Sequence, residues 1–348
     1  MNIDTFAYYE HLFPLNTFFA NLVPMSPDQD LHSLIRPFLS YTLDETNFTG
    51  LGTRYLGKVR DVYTQGDRSI LIATDRQSAF DVSFCTIPLK GQTLNQLSAW
   101  WFEQISDILP THVIAVPDPN VMVVKRLEML KVEIVVRGYL AGSTGTSAWI
   151  NYSKGMRSFC GNALPDGMVK NQIFENGPIL TPTTKGEHDE LIDPATIIAQ
   201  GFASASQWEE IQTKAFALFK RGQEVAAKRG LILVDTKYEM GFDAEGRLTI
   251  ADEVHTPDSS RYWLTDSYQA RIAQGQEPES LDKEFFRLWL REQGFDYGKP
   301  KPEISDQVKV LLATKYINLY ERITGLAFMF PEPQSIEVRI EDNLKSFD

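Results

Sequence analysis

Cysteine is nearly absent: Cys85 and Cys160 are the whole supply in a chain of 348 residues. Two thiols build neither a disulfide framework nor a cysteine zinc site, so the expected setting is a reducing one, the cytoplasm. No apolar run approaches the roughly 20 residues of a membrane-spanning helix, which argues against a membrane protein. No Lys or Arg precedes Arg36. A signal peptide needs a basic start and a transit peptide needs arginines, and Asp4 and Glu10 count against both. Positive charge is also short overall, with 34 Lys and Arg against 46 Asp and Glu for a net charge of -12. That balance opposes nonspecific nucleic-acid binding but leaves room for local basic pockets that hold phosphorylated small molecules. There is no internal repeat. At about 150 residues per domain the length suggests two or three lobes with a cleft between them.

What is present centres on Leu231 to Trp263. Leu231-Ile232-Leu233-Val234, bounded by Gly230 and Asp235, fits a buried strand. From Asp235 to Glu239 the period-two geometry sets Asp235, Lys237 and Glu239 on one side and Thr236 and Tyr238 on the other. Asp243-Ala244-Glu245-Gly246 reads as a turn, and Arg247 to Glu253 as the returning strand. With that loop, Glu239 is expected opposite Ile250 and Lys237 opposite Asp252, so that Lys237, Glu239 and Asp252 share a face. Diagonal residues on such a face lie roughly 7 to 8 Å apart, within reach of a common metal ion. A solvated charged face is the competing reading. The crowding of Glu253, Asp258 and Arg261 around Pro257 favours a ligand site.

Elsewhere the chain is punctuated by shorter signals. Residues 1 to 45 are aromatic-rich and read as an extension packed on the body, with a partner-binding segment as the alternative. Tyr55 to Tyr63 alternates through a strand or hairpin that carries Gly57, Lys58 and Arg60. The glycine allows close approach of phosphate and the cations supply charge, although this is neither a Walker loop nor G-x-G-x-x-G. Ser69 to Ala73 reads as a buried strand that ends at Thr74 to Asp81, where site residues commonly gather. Leu94 to Leu109 keeps helical spacing. Met122 to Val124 and Val132 to Val136 read as buried strands, with Glu133 and Arg137 as polar intrusions. Ala141 to Ser147 is a small-residue loop suited to a phosphate or to a plain turn. Thr181 to Asp189 is the polar centre of a long irregular stretch that fits a lid or binding loop. His188 has no second histidine or cysteine at ligand spacing, so zinc is not expected. Ser206 to Glu209 fits a capping box for a helix running to about Arg229. Leu281 to Glu292, with Asp282 as a cap, and Ser305 to Thr324, ended by Gly325, are expected helices.

Read together, GKVRDVY, ATDRQSAFDV, IPLKGQTLNQLSAWWF, VVRGYLAGSTGTSAW, TPTTKGEHDE, LVDTKYEMG, ADEVHTPDSSRYW and KYINLYERITG resemble, in order and wording, the SAICAR synthetase family. The resemblance runs from about Tyr55 to Gly325. Residues 1 to about 45 match no part of the family pattern, and Gln77 stands where an isoleucine is expected.

The family implies an α+β fold: an N-terminal antiparallel β lobe resembling a kinase small lobe, an ATP-grasp-like central lobe, and C-terminal helices, with the active-site cleft between lobes. The matching division is an extension over 1–45, a β-rich lobe over 46–124, a central lobe over 125–263 and a helical region over 264–348. The implied activity is an ATP-dependent ligase. It joins the carboxylate of carboxyaminoimidazole ribonucleotide (CAIR) to L-aspartate through an acyl phosphate, in de novo purine biosynthesis. By resemblance Gly57, Lys58 and Arg60, with Glu133, serve ATP, while Glu239 and Asp252 hold magnesium beside Lys237. Arg137, Ser143 and Arg261 bind CAIR, with Asp258 nearby and Asp81 and Lys185 as further candidates. Two other classes fit part of the pattern: a phosphotransferase resembling the inositol-phosphate kinases, which requires no amine substrate, and a nucleotide-binding protein without catalysis. ADP release that depends on CAIR and aspartate together separates the three.

Overall fold

The computed structural model describes residues 23–24, 30–80, 82–186, 189–296 and 298–345. The chain forms two compact units that do not follow chain order: Met1–Trp100 with Val113–Arg126 and Asp282–Asp348, and Trp101–His112 with Leu127–Leu281. Strands and helices alternate irregularly and every strand ladder among the described residues is antiparallel, which is the α+β class expected.

The first unit is built on a five-stranded sheet in the order Thr53–Leu56, Arg60–Gln65, Arg68–Ala73, Val121–Lys125, Val113–Asp118. One face buries Tyr63, Ile72 and Val121 against Leu43 and against Ile336, Ile340 and Leu344 of the helix Ile336–Lys345. Arg339 of that helix grips Asp118 with two hydrogen bonds, Nε to Oδ2 at 3.0 Å and an Nη to Oδ1 at 3.1 Å. A bidentate buried pair of this kind fixes orientation as well as attraction. The expected extension is thus part of this unit's interior where it is described. Ile35, Phe38 and Leu43 are buried, and the Leu43 amide donates to Asp75 at 2.8 Å.

Asp75 also explains a boundary that the spacing of apolar residues places differently. The helix expected over Leu94 to Leu109 spans Lys90–Gln104. Its first turn is capped by a carboxylate distant in sequence, because Asp75 Oδ1 accepts from the Gly91 amide at 2.8 Å. Its far end tightens after Gln104 into turns in which the Ile108 amide bonds the Ile105 carbonyl at 2.9 Å. Asp282 accepts from the Glu284 amide at 2.7 Å and starts the helix Glu284–Glu292. Ser305 caps Asp306–Thr324, which Gly325 ends in the left-handed conformation.

The second unit holds a seven-stranded sheet around the twelve-residue strand Leu231–Phe242. Val132–Arg137 and Ser260–Leu264 flank its first part, and Leu248–Ala251 and Glu128–Met129 its second. The helix Ala205–Lys228 buries Trp208, Ile211, Ala215, Leu218 and Phe219. Its capping box is Ser204 with Gln207 rather than Ser206 with Glu209. The two frames are equally acceptable by residue type, and only the extended backbone at Ser204 selects the earlier one. Residues 140 to 174 carry a small core of their own, in which Leu140, Tyr152, Phe159, Leu164 and Phe174 are buried together.

Candidate active site

The charged face of the second unit follows from strand register. Arg137 faces Asp235 and Val135 faces Lys237 across one ladder, while Asp235 faces Arg261 across the other. Directly opposed residues of an antiparallel pair point to the same side, and alternation adds Glu133 and Glu239. One face therefore carries Glu133, Arg137, Asp235, Lys237, Glu239 and Arg261, with Tyr238 and Met240 buried on the other.

The charges on this face divide into two groups. In the acidic one, Lys237 Nζ donates to Glu133 Oε1 at 2.6 Å and to Glu239 Oε1 at 2.9 Å. Thr183 Oγ1 holds the second oxygen of Glu133 at 3.2 Å, and Lys185 Nζ is paired with the second oxygen of Glu239. Burial works against the Lys237 charge. The charges of Glu239, Glu133 and Asp252 outweigh it and hold the ammonium above its ordinary value.

The hairpin register differs from the expected one. Glu239 lies opposite Ala251, not Ile250, because the connection includes Arg247 and is five residues long. Asp243 enforces it by accepting from the Arg247 amide at 2.8 Å and the Glu245 amide at 3.1 Å. Continued regularly, the ladder would send Asp252 to the face opposite Glu239. The strand ends at Ala251, however, and Asp252 takes φ 63°, so the alternation breaks there and its charge still acts on Lys237.

In the basic group Asp235 is buried and pairs with two arginines, Arg137 at 3.5 Å and Arg261 more closely. Arg137 is aimed by two further bonds, Nε to Thr181 Oγ1 at 2.8 Å and an Nη to the Thr146 carbonyl at 3.1 Å. Burial pulls this guanidinium below its usual value, Asp235 opposes that, and Arg261 adds to it. The loop Ala141 to Ser147 wraps the pair tightly. A Cβ on Gly142 would lie 2.5 Å from Ser147 Cβ and 3.0 Å from an Arg261 Nη, and its φ of 103° also requires glycine. Two guanidiniums sharing one carboxylate leave one net positive charge, which suits an anion. Asp258 lies within the turn Pro257–Ser259 that leads into Ser260–Leu264, and its amide donates to Thr256 Oγ1 at 3.3 Å.

In the first unit Gly57, Lys58 and Val59 connect Thr53–Leu56 to Arg60–Gln65. The Gly57 amide donates to the Arg60 carbonyl at 2.8 Å, and a Cβ on Gly57 would come within 2.8 Å of that oxygen. Arg76 braces the turn from beneath by donating to the carbonyls of Gly57 at 3.0 Å and Lys58 at 3.2 Å and to Asp61 Oδ1 at 2.7 Å. Lys58 is exposed and Arg60 partly so. Asp81 lies outside the described residues.

Sequence reasoning places Asp235 on the face of Lys237 and Glu239 without its arginine partners, and it misses the supports Thr181, Thr183, Arg76 and Asp61. A buried Asp in a continuous strand is itself a signal, since an unpaired carboxylate there is costly. The threonine partners carry none. Among the described residues no three His, Cys, Asp or Glu side chains converge as a self-sufficient metal cluster, and no helix is long and apolar enough to cross a membrane.

Residues 53–303 match the family model of SAICAR synthetase. The chain belongs to the SAICAR synthetase family. A phosphoribosylaminoimidazole-succinocarboxamide synthase of Legionella pneumophila is 49% identical over 310 residues, 88% of this chain and 99% of the relative. The chloroplastic enzyme of that name from Arabidopsis thaliana is 46% identical over 93% of this chain and 80% of its own length. Among solved structures, SAICAR synthase from Saccharomyces cerevisiae complexed with SAICAR matches with a TM-score of 0.72 and 31% identity, covering 82% of this chain and 99% of that one. A SAICAR synthetase in complex with ADP matches with a TM-score of 0.61 and 26% identity over 80% of this chain and 100% of that one. Members of the SAICAR synthetase family are ligases of purine biosynthesis, and this chain is an ATP-dependent enzyme that joins CAIR to L-aspartate.

Proposed function

We propose that the two charge groups of the second unit divide the reaction between them. Arg137 and Arg261, with Ser143 and the nearby Asp258, hold the phosphate end of CAIR. Lys237, Glu239 and Asp252 serve the phosphoryl chemistry, together with Glu133. In the first unit the tight turn of Gly57, with Lys58 and Arg60, serves the ATP phosphates. The observation that carries this reading is the pairing of Arg137 and Arg261 with one buried aspartate. It supports an anion site separate from the carboxylates around Lys237.

A carboxylate is a poor acyl donor because its oxygen leaves badly. Transfer of the ATP γ-phosphoryl group to a CAIR carboxylate oxygen releases ADP and makes an acyl phosphate. The aspartate amine then attacks the acyl carbon, the C–N bond forms, the C–O bond to phosphate breaks, and the amine gives up a proton. Lys237, held cationic between carboxylates, is suited to steady negative charge as it moves between oxygens.

The residues fit magnesium in a particular way. Their hard carboxylate oxygens are the right donors for an ion that takes one or two carboxylates and completes its shell with phosphate oxygens and water. When bound, it would neutralise phosphate charge. Glu239 and Asp252 are the ligands proposed. The free cysteines Cys85 and Cys160 support a reducing compartment, the cytoplasm.

Binding of each substrate to the Arg137→Ala variant tests the division. CAIR affinity is expected to fall by about 2 to 4 kcal/mol with ATP affinity nearly unchanged. Equal losses for both ligands would overturn it.

A further inference from the structure

Both carboxylates of the acidic group are engaged at every oxygen. Glu133 takes Lys237 on Oε1 and Thr183 on Oε2, and Glu239 takes Lys237 on Oε1 and Lys185 on Oε2. A divalent cation that binds Glu239 directly must compete with an ammonium for its oxygens. The two ammoniums are unequally held. Lys237 bonds two carboxylates, feels a third in Asp252, and stands on a strand paired on both sides. Among the described residues, Glu239 is the one side-chain partner of Lys185, whose side chain is 43% exposed at the margin of the sheet beside Gly186. Glu239 itself is only 13% exposed, and Lys185 occupies its Oε2, the oxygen that Lys237 does not hold.

We propose that Lys185 is a built-in competitor of the metal ion: its ammonium occupies Oε2 of Glu239 and is exchanged for the metal only when a nucleotide brings one in. The exchange rests on the reading of Glu239 as a magnesium ligand. Its electrostatics are simple. With Asp252 included, three carboxylates and two ammoniums leave one net negative charge, so bare magnesium gains little on entry and repels the cation already present. Phosphate oxygens supply the missing negative charge, and the released Lys185 ammonium stays close to them. Metal and nucleotide then bind with positive coupling, and by linkage each strengthens the other equally.

Manganese, whose free ion is read directly by electron paramagnetic resonance, serves as the probe. It is titrated into the wild type, Lys185→Met, Lys185→Arg, Glu239→Gln and the double variant Lys185→Met with Glu239→Gln, each without nucleotide and with a nonhydrolysable ATP analogue. Without nucleotide, Lys185→Met is expected to bind manganese about fivefold tighter than the wild type, the size of one lost exposed ion pair. Lys185→Arg should resemble the wild type, and the double variant should lose the gain. With the analogue present, wild type and Lys185→Met should converge. If Glu239→Gln weakens manganese binding in the nucleotide complex while Lys185→Met binds the bare ion no tighter than the wild type, the competitor role is overturned and the ligand role stands. If Glu239→Gln leaves manganese affinity unchanged with nucleotide, the ligand role fails, and the competitor role with it.

Discussion

Arg137 and Asp235 face each other across neighbouring strands, guanidinium to carboxylate at 3.5 Å, and both are buried. Asp235 also holds Arg261. Asp235→Asn therefore leaves buried Arg137 and partly buried Arg261 beside each other without their shared carboxylate and is expected to cost about 3 kcal/mol in urea unfolding. An anion bound between the arginines would restore the missing charge. Saturating CAIR should accordingly raise the melting temperature of the variant by more than it raises that of the wild type. Equal rises would mean that the arginines are structural and do not meet the substrate.

Glu239→Gln keeps the side-chain shape and removes the charge that Lys237 and Lys185 share. Turnover is expected to fall about a hundredfold to a thousandfold, as for loss of a preorganised electrostatic contact. Asp252→Asn is the informative companion, because asparagine tolerates the left-handed φ of 63° that this position demands. Its activity loss therefore reports the carboxylate and not the backbone. Normal turnover by both variants at limiting magnesium would remove the metal assignment.

His255 is fully buried and its Nε2 lies 2.5 Å from the hydroxyl of Tyr238, which stands between Lys237 and Glu239 in sequence but points to the other face of the sheet. Burial pushes its pKa down from 6.5 to about 3. The folded imidazole therefore stays neutral while the unfolded one takes up a proton, so stability is present above about pH 6.5 and is lost progressively as pH falls toward 3. His255→Asn suits the φ of 51° at this position. It should flatten the dependence by up to about 1.4 kcal/mol per pH unit in urea unfolding between pH 4 and 6. Parallel curves for variant and wild type would refute the assignment.

A chain shortened to begin at Glu45 loses Ile35, Phe38 and Leu43 from the first unit's interior, and with them the Leu43 amide bond to Asp75. Three buried apolar side chains at about 1.5 to 3 kcal/mol each approach the whole stability of a typical domain. Such a truncation is expected to unfold well below the melting temperature of the full chain by calorimetry. An unchanged melting temperature would show that this segment is dispensable to the fold.

Much of the candidate site's layout is legible because motif identity and period-two alternation are local. The place of Lys237 and Glu239 on one face follows from the alternation of a single strand, and Arg137 and the Gly57 turn stand out by residue type. Helix ends with local caps, such as Ser305 and Gly325, were equally plain. Register was not. One extra residue in the Asp243 to Arg247 connection shifts every cross-strand partner, and the side-chain bonds of Asp243 that settle its length belong to the folded turn.

The sequence by itself determined the family, the α+β class and the chemical character of the candidate site residues, since each depends on residue identity and spacing along the chain. Only the tertiary structure decided which charges meet. Asp235 between two arginines, Thr181 and Thr183 as supports, Arg76 beneath the glycine turn, Asp75 capping a distant helix and Lys185 on Glu239 all join residues far apart in the chain. Burial sets how strongly such partners must pair, and burial is a property of the packed chain, not of any segment read alone.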